Sequence, residues 1–98
     1  MSVTVGLLVL LEAKPDKSDA LGEFLAQGRS LALDEPATVT WYAFKVDDQT
    51  YGIFDTFEAE DGREAHLAGE IAKALMAAAP DLLAKDPDIR KVDIVAVK

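Results

Sequence analysis

Ninety-eight residues, half of them hydrophobic and 29% charged, predict a single small folded domain over residues 1–98 and exclude a disordered chain. The formal net charge of −8 is spread over loops and helix starts with no basic stripe, which argues against a nucleic-acid partner. There is no cysteine, so disulfide, thiolate and iron–sulfur chemistry are excluded.

The apolar run Val3 to Leu11 comes first. It has no basic segment ahead of it and no clean small-residue cleavage site after it, and it is too short to span a bilayer. It predicts a buried strand in a soluble cytoplasmic protein. Val3, Val5, Leu7, Val9 and Leu11 form one wholly apolar face, and Leu8 and Leu10 make the middle of the other face apolar as well. That pattern suits a central strand covered on both sides.

Pro15 and Asp16 end the strand, and a helix is predicted over 16–33, with Asp16 or Ser18 as its cap. Leu21, Phe24, Leu25, Gly28, Leu31 and Ala32 recur at helical spacing and form its apolar stripe. A turn over 33–36 leads to a strand over 38–46, with Val39, Trp41 and Ala43 on one face and Thr40, Tyr42 and Phe44 on the other. Asp47, Asp48 and Gln49 make a hairpin loop, and the strand returns over 50–57 with Tyr51, Ile53, Asp55 and Phe57 on one face.

Glu58, Glu60 and Asp61 place negative charge at the next helix N-terminus, where the helix dipole favours it. That helix is predicted over 60–79, with a weak point at Gly69 and an interruption at Pro80, one more turn over 81–84, and a stop at Pro87. The last strand is predicted over 89–97. The order β-α-β-β-α-β is the ferredoxin-like pattern, an α+β fold with a four-stranded antiparallel sheet. Right-handed crossovers place both helices on one face of it.

The other face is then too apolar to stand in water. Leu8, Leu10, Val95 and Val97 contrast there with Leu7, Val9, Ile94 and Val92, Trp41 with Phe44, and Phe54 with Ile53. Two copies packed sheet to sheet about a two-fold axis satisfy both chains, so a homodimer is expected.

The segment from Thr40 to Leu75 holds the only tryptophan and the only histidine, and its motifs carry a family likeness. TWYAFKVDD, then Gly52-Ile53-Phe54-Asp55-Thr56-Phe57, then Arg63-Glu64-Ala65-His66-Leu67, resemble the antibiotic biosynthesis monooxygenase (ABM) domain family, above all its small quinol-monooxygenase-like members. The likeness covers nearly the whole chain. It implies a dimeric α+β barrel of ferredoxin-like subunits and oxygenation of phenolic or quinol-like aromatics with no cofactor: no metal, flavin or haem. The haem-degrading branch uses an Asn on the first strand, a Trp at the end of the third and a His on the following helix, where His66 fits. Here the first strand offers Thr4 and Gly6 and the Trp is on the second, so haem degradation is not expected.

Such oxygenation needs a base to make the electron-rich anion, an apolar pocket for the flat ring, and donors for developing negative charge. His66 is the candidate base, Asp55 orients it, and Arg63 steadies an anionic intermediate; Trp41, Tyr51, Phe54 and Phe57 wall the pocket. Each has a structural alternative. Asp55, an uncommon residue in mid-strand, ties helix to sheet through His66 or Arg63; the aromatics fill the core or the dimer interface; Arg63 is solvated. No HExxH, EF-hand loop or phosphate-binding glycine loop is present, so no metal is expected. The alternative function is a non-catalytic dimeric barrel that binds a small apolar ligand.

Overall fold

The computed structural model describes residues 2–98. Strand β1 (Val5–Glu12) leads to helix α1 (Ser18–Leu33), then to the hairpin β2 (Thr38–Lys45) and β3 (Thr50–Phe57). Helices α2 (Glu60–Leu67) and α3 (Glu70–Leu82) and strand β4 (Asp88–Asp93) complete the chain. The sheet order is β2-β3-β1-β4, and every neighbouring pair is antiparallel. Each half is thus a βαβ unit with a strand of the other half inserted, which is the ferredoxin-like α+β arrangement.

The helix-covered face forms the core. Leu7, Val9 and Leu11 of β1 and Tyr51, Ile53 and Phe57 of β3 are buried there. Leu21 and Leu25 of α1 and Ile71, Leu75 and Leu82 of α3 close over that face. The strict alternation of strand side chains puts the other residues on the opposite face. Tyr42 remains 60% exposed there and Phe44 37% exposed. Phe44 lies across Gly52, where a Cβ would meet the ring at 2.3 Å, so only glycine lets that ring lie flat on the sheet.

Four expectations are corrected. Helix α1 begins at Ser18, and no side chain among the described residues caps it: the Ser18 hydroxyl donates instead to the Asp48 carbonyl, tying α1 to the hairpin loop. The expected single helix over 60–79 is two helices, parted at its expected weak point, Gly69. Gly69 takes an extended ψ and starts α3, while its N–H still bonds the His66 carbonyl at 3.0 Å. Pro80 does not interrupt α3 but lies inside its last turn, where the missing N–H forfeits a single bond. The Pro80 carbonyl accepts from Lys14 Nζ at 2.7 Å, and the Ala13–Leu83 bridge fastens the end of α3 to the end of β1.

The fourth correction concerns β4, which pairs only as far as Asp93. Its register puts Val92 opposite Gly6, on the uncovered face with Leu8, and Ile94 lies beside them. The final residues run on beyond the strand, with Val95 97% exposed.

Candidate functional site

The hairpin register sets the first pair of residues. Asp55 of β3 stands directly opposite Trp41 of β2, so both side chains point to the helix-covered face. Asp55 is 1% exposed, which forbids an unpartnered charge. Its partner is His66 from the last turn of α2, whose Nε2 lies 3.0 Å from Asp55 Oδ2. The imidazole is also engaged on its other side, where Nδ1 lies 2.5 Å from Glu35 Oε1. Glu35 follows α1 in the loop to β2, and that carboxylate also accepts from the Thr38 hydroxyl at 2.8 Å. Phe57 packs against the imidazole with ring centroids 5.4 Å apart.

His66 therefore sits between two carboxylates. Burial works against its charged form, but hydrogen bonds to Asp55 and Glu35 and their negative charge outweigh it, so its pKa is raised above the ordinary 6.5. With a carboxylate oxygen at each ring nitrogen, the geometry favours the imidazolium form, both nitrogens donating. Both ring nitrogens are thus engaged by protein carboxylates, Nδ1 by Glu35 and Nε2 by Asp55.

The polar atoms that remain free belong to its neighbours. Asp55 Oδ1 and Trp41 Nε1 are both buried without a hydrogen-bond partner among the described residues. Each such atom costs about 1–3 kcal/mol unless something satisfies it. Both side chains line one cavity of about 50 Å³ between sheet and helices, whose other walls include Leu7, Val9, Leu25, Ile53 and Leu75. Apart from Asp55, His66 and the indole N–H, this lining is hydrocarbon. Phe24, Gly28 and Ile71 line both this cavity and the groove between α1 and α3 outside it, so they form its thin wall.

The remaining candidates go elsewhere. Arg63 is buried rather than solvated: Nε and Nη2 bond Glu60 at 3.0 and 2.5 Å, and Nη1 donates to the carbonyls of Gly6 at 3.1 Å and Val92 at 3.2 Å. It ties α2 to β1 and β4 and does not line the cavity. Tyr51 is core, with its hydroxyl 3.4 Å from Ser18 Oγ. Phe54 lies on the uncovered face beside Tyr42 and Ile94. Phe57 backs the imidazole without reaching the cavity. Glu35 went unnoticed in the sequence because a single glutamate in a turn carries no motif. No cluster of three or more His, Cys, Asp or Glu is placed to hold a metal ion among the described residues. Nor is any described helix long and apolar enough to cross a membrane.

No family model and no curated protein matches the chain. Solved structures do. NE2512 of Nitrosomonas europaea, a protein of unknown function, superposes with a TM-score of 0.96 at 48% identity, covering 98% of this chain and 93% of that one. A "putative antibiotic biosynthesis monooxygenase" of Caulobacter crescentus CB15 matches with a TM-score of 0.81 at 18% identity, over 96% of this chain and 92% of that one. One from Chloroflexus aurantiacus J-10-fl matches with a TM-score of 0.75 at 20% identity, over 97% and 96%. The chain thus belongs to the same family as NE2512 of Nitrosomonas europaea and has the fold of the proteins named for antibiotic biosynthesis monooxygenase.

Proposed function

We propose that this chain is a cofactor-independent monooxygenase that oxidises a quinol or polyphenolic aromatic with O2, with Asp55 as its proton acceptor. The observation that carries the reading is that Trp41 and Asp55 line one apolar cavity and each keeps a buried unsatisfied atom, the N–H of Trp41 and Oδ1 of Asp55. A phenolic hydroxyl answers both at once, accepting from the indole and donating to the carboxylate. The fold likeness to proteins named for antibiotic biosynthesis monooxygenase supports the same class.

Asp55 takes the hydroxyl proton, and the resulting anion is the electron donor to O2. One oxygen atom enters the ring and the other leaves as water, with the ring supplying all the electrons. For hydroquinone the products are hydroxyquinone and water. The indole N–H stabilises negative charge on the substrate oxygen, and the hydrocarbon walls exclude the water that would weaken that bond. His66 Nε2 gives the buried Asp55 carboxylate a partner at 3.0 Å and fixes its orientation.

The protein acts as a homodimer in this reading. Tyr42, Phe44, Phe54 and Val92 share the uncovered face, and a second sheet is the cover that fits a flat apolar surface. A cytoplasmic location goes with it, on the acidic composition and the absence of cysteine.

The second reading, a non-catalytic barrel holding a small apolar ligand, is favoured by the nearly all-hydrocarbon lining of the cavity. About 50 Å³ is well below the ~150 Å³ of a cavity that takes up benzene. A ring enters only if the surrounding side chains part, and Phe24, Gly28 and Ile71 form one wall shared with an outer groove. Oxygen uptake with a panel of naphthols, anthrones and hydroquinones, on wild type and Asp55→Asn, separates the two. Uptake above autoxidation that Asp55→Asn abolishes supports the oxygenase; no uptake with any of them supports the binder.

A further inference from the structure

The Asp55–His66 pair does not end at the imidazole. Exposure of the side chains rises along the row from 1% at Asp55 to 8% at His66 and 19% at Glu35. Glu35 and His66 together line a separate groove of about 330 Å³ between α2 and the α1–β2 loop. That groove and the cavity share His66 and no other residue. Glu35 Oε2 has no hydrogen-bond partner among the described residues and lies where a Cβ on Gly69 would meet it at 2.8 Å. The row Asp55, His66, Glu35 thus runs from an apolar cavity to a surface groove.

We propose that Glu35 is a positioning residue for the cavity: through His66 it fixes the Asp55 carboxylate and gives it a path for proton exchange with the groove. The inference rests on Asp55 being the group that accepts the ligand's proton. With His66 charged between two carboxylates the row carries a net charge of about −1. When Asp55 Oδ1 takes a proton it becomes neutral and stops supporting the imidazolium. His66 then passes its Nδ1 proton to Glu35, and Glu35 releases it to water in the groove. One proton enters, one leaves, and the net charge is the same before and after. A proton drawn back from Asp55 reverses each step.

The groups that face His66 come from every neighbouring element: Asp55 from β3, Glu35 from the loop after α1, and Arg63 one turn earlier on α2. Asp34 and Glu70 line the same groove. Arg63 is committed to Glu60 and to two backbone carbonyls, so Glu35 and Asp55 are the charges in direct contact with the ring.

The chain offers native reporters, since His66 is its only histidine and Trp41 its only tryptophan. The experiment follows the imidazole C–H signals by NMR and the Trp41 emission across pH, in wild type, Glu35→Gln and Gly69→Ala. Glu35→Gln removes the outer charge; Gly69→Ala leaves every charge in place and pushes the Glu35 carboxylate aside, so it serves if Glu35→Gln does not fold. The expected result is a fall in the His66 midpoint of about one pH unit or more in Glu35→Gln, as for loss of a contacting opposite charge. Gly69→Ala shifts it in the same direction. The pH-dependent change in Trp41 emission, which reports the Asp55–His66 pair across the strand ladder, moves with the His66 midpoint in both variants. An unmoved His66 midpoint, or Trp41 emission that ignores the variants, overturns the inference. If the midpoints move and no substrate is oxidised, the oxygenase reading falls and the control of Asp55 by Glu35 stands.

Discussion

Trp41 and Asp55 face each other directly across the β2–β3 ladder, and each keeps one buried polar atom without a partner among the described residues. Both residues line a cavity whose other walls are mostly hydrocarbon, and in the proposed reading one ligand hydroxyl serves the open donor and the open acceptor.

Trp41→Phe keeps an aromatic ring against the core and deletes the free N–H. Its stability changes little, because an unsatisfied donor is lost along with some contact area. Affinity for a phenol falls about tenfold, the value of roughly one neutral hydrogen bond, whereas affinity for the corresponding methyl ether is unchanged. Isothermal titration with the two compounds measures both; equal losses for phenol and ether refute the pairing.

His66→Ala leaves two carboxylates facing each other across the vacated ring position. Removing one member of a buried charge pair typically costs about 3–5 kcal/mol. The urea midpoint at neutral pH drops accordingly. Asp55→Asn combined with His66→Ala destabilises less than the two single changes added together, because the stranded charge is gone.

Stability also depends on pH through His66. Its pKa is raised in the folded protein above the ordinary 6.5, so the folded state holds the proton more tightly than the unfolded chain. The stabilisation is complete below about pH 6.5 and is lost as pH rises through the folded midpoint. Urea midpoints from pH 6 to 9 should fall in wild type and show a weaker fall in His66→Asn. Parallel curves for the two proteins contradict this.

Arg63→Lys separates the tie from the chemistry. Lysine cannot reproduce a planar fork that grips Glu60 while donating to the carbonyls of Gly6 and Val92. The thermal midpoint falls, and oxygen uptake per folded molecule stays the same. A loss of uptake at full stability restores Arg63 to the site.

Tyr42→Glu places a charge on the most exposed aromatic of the uncovered face. Sedimentation equilibrium is expected to give a dimer for wild type and a weaker dimer or a monomer for the variant. A monomeric wild type at low micromolar concentration removes the dimer.

The element order and the helix-covered core were legible because they rest on periodicity. The alternation in β1 and the aromatic alternation in β3 lead straight to the buried faces of Leu7, Val9, Leu11, Ile53 and Phe57. Asp55 and His66 stood out for a local reason, a charge in mid-strand and a lone imidazole after it. The end of β4 was overextended, because Val95 and Val97 carry strand propensity without a partner strand to pair with beyond Asp93. Pro80 misled in the opposite sense: a helix loses one bond to proline in its last turn, and contacts with Lys14 and β1 offset that loss.

By itself the sequence determined which residues alternate and which recur at helical spacing, and hence the strands, the helices and the greasy second sheet face, because burial follows periodicity along the chain. Only the tertiary structure decided that Glu35, 31 residues from His66, closes the other side of the imidazole. It also decided that Arg63 turns to backbone carbonyls and that Trp41 meets Asp55. Those contacts depend on strand register and on the bend at Gly69, which join residues far apart in the chain and leave no periodic trace in it.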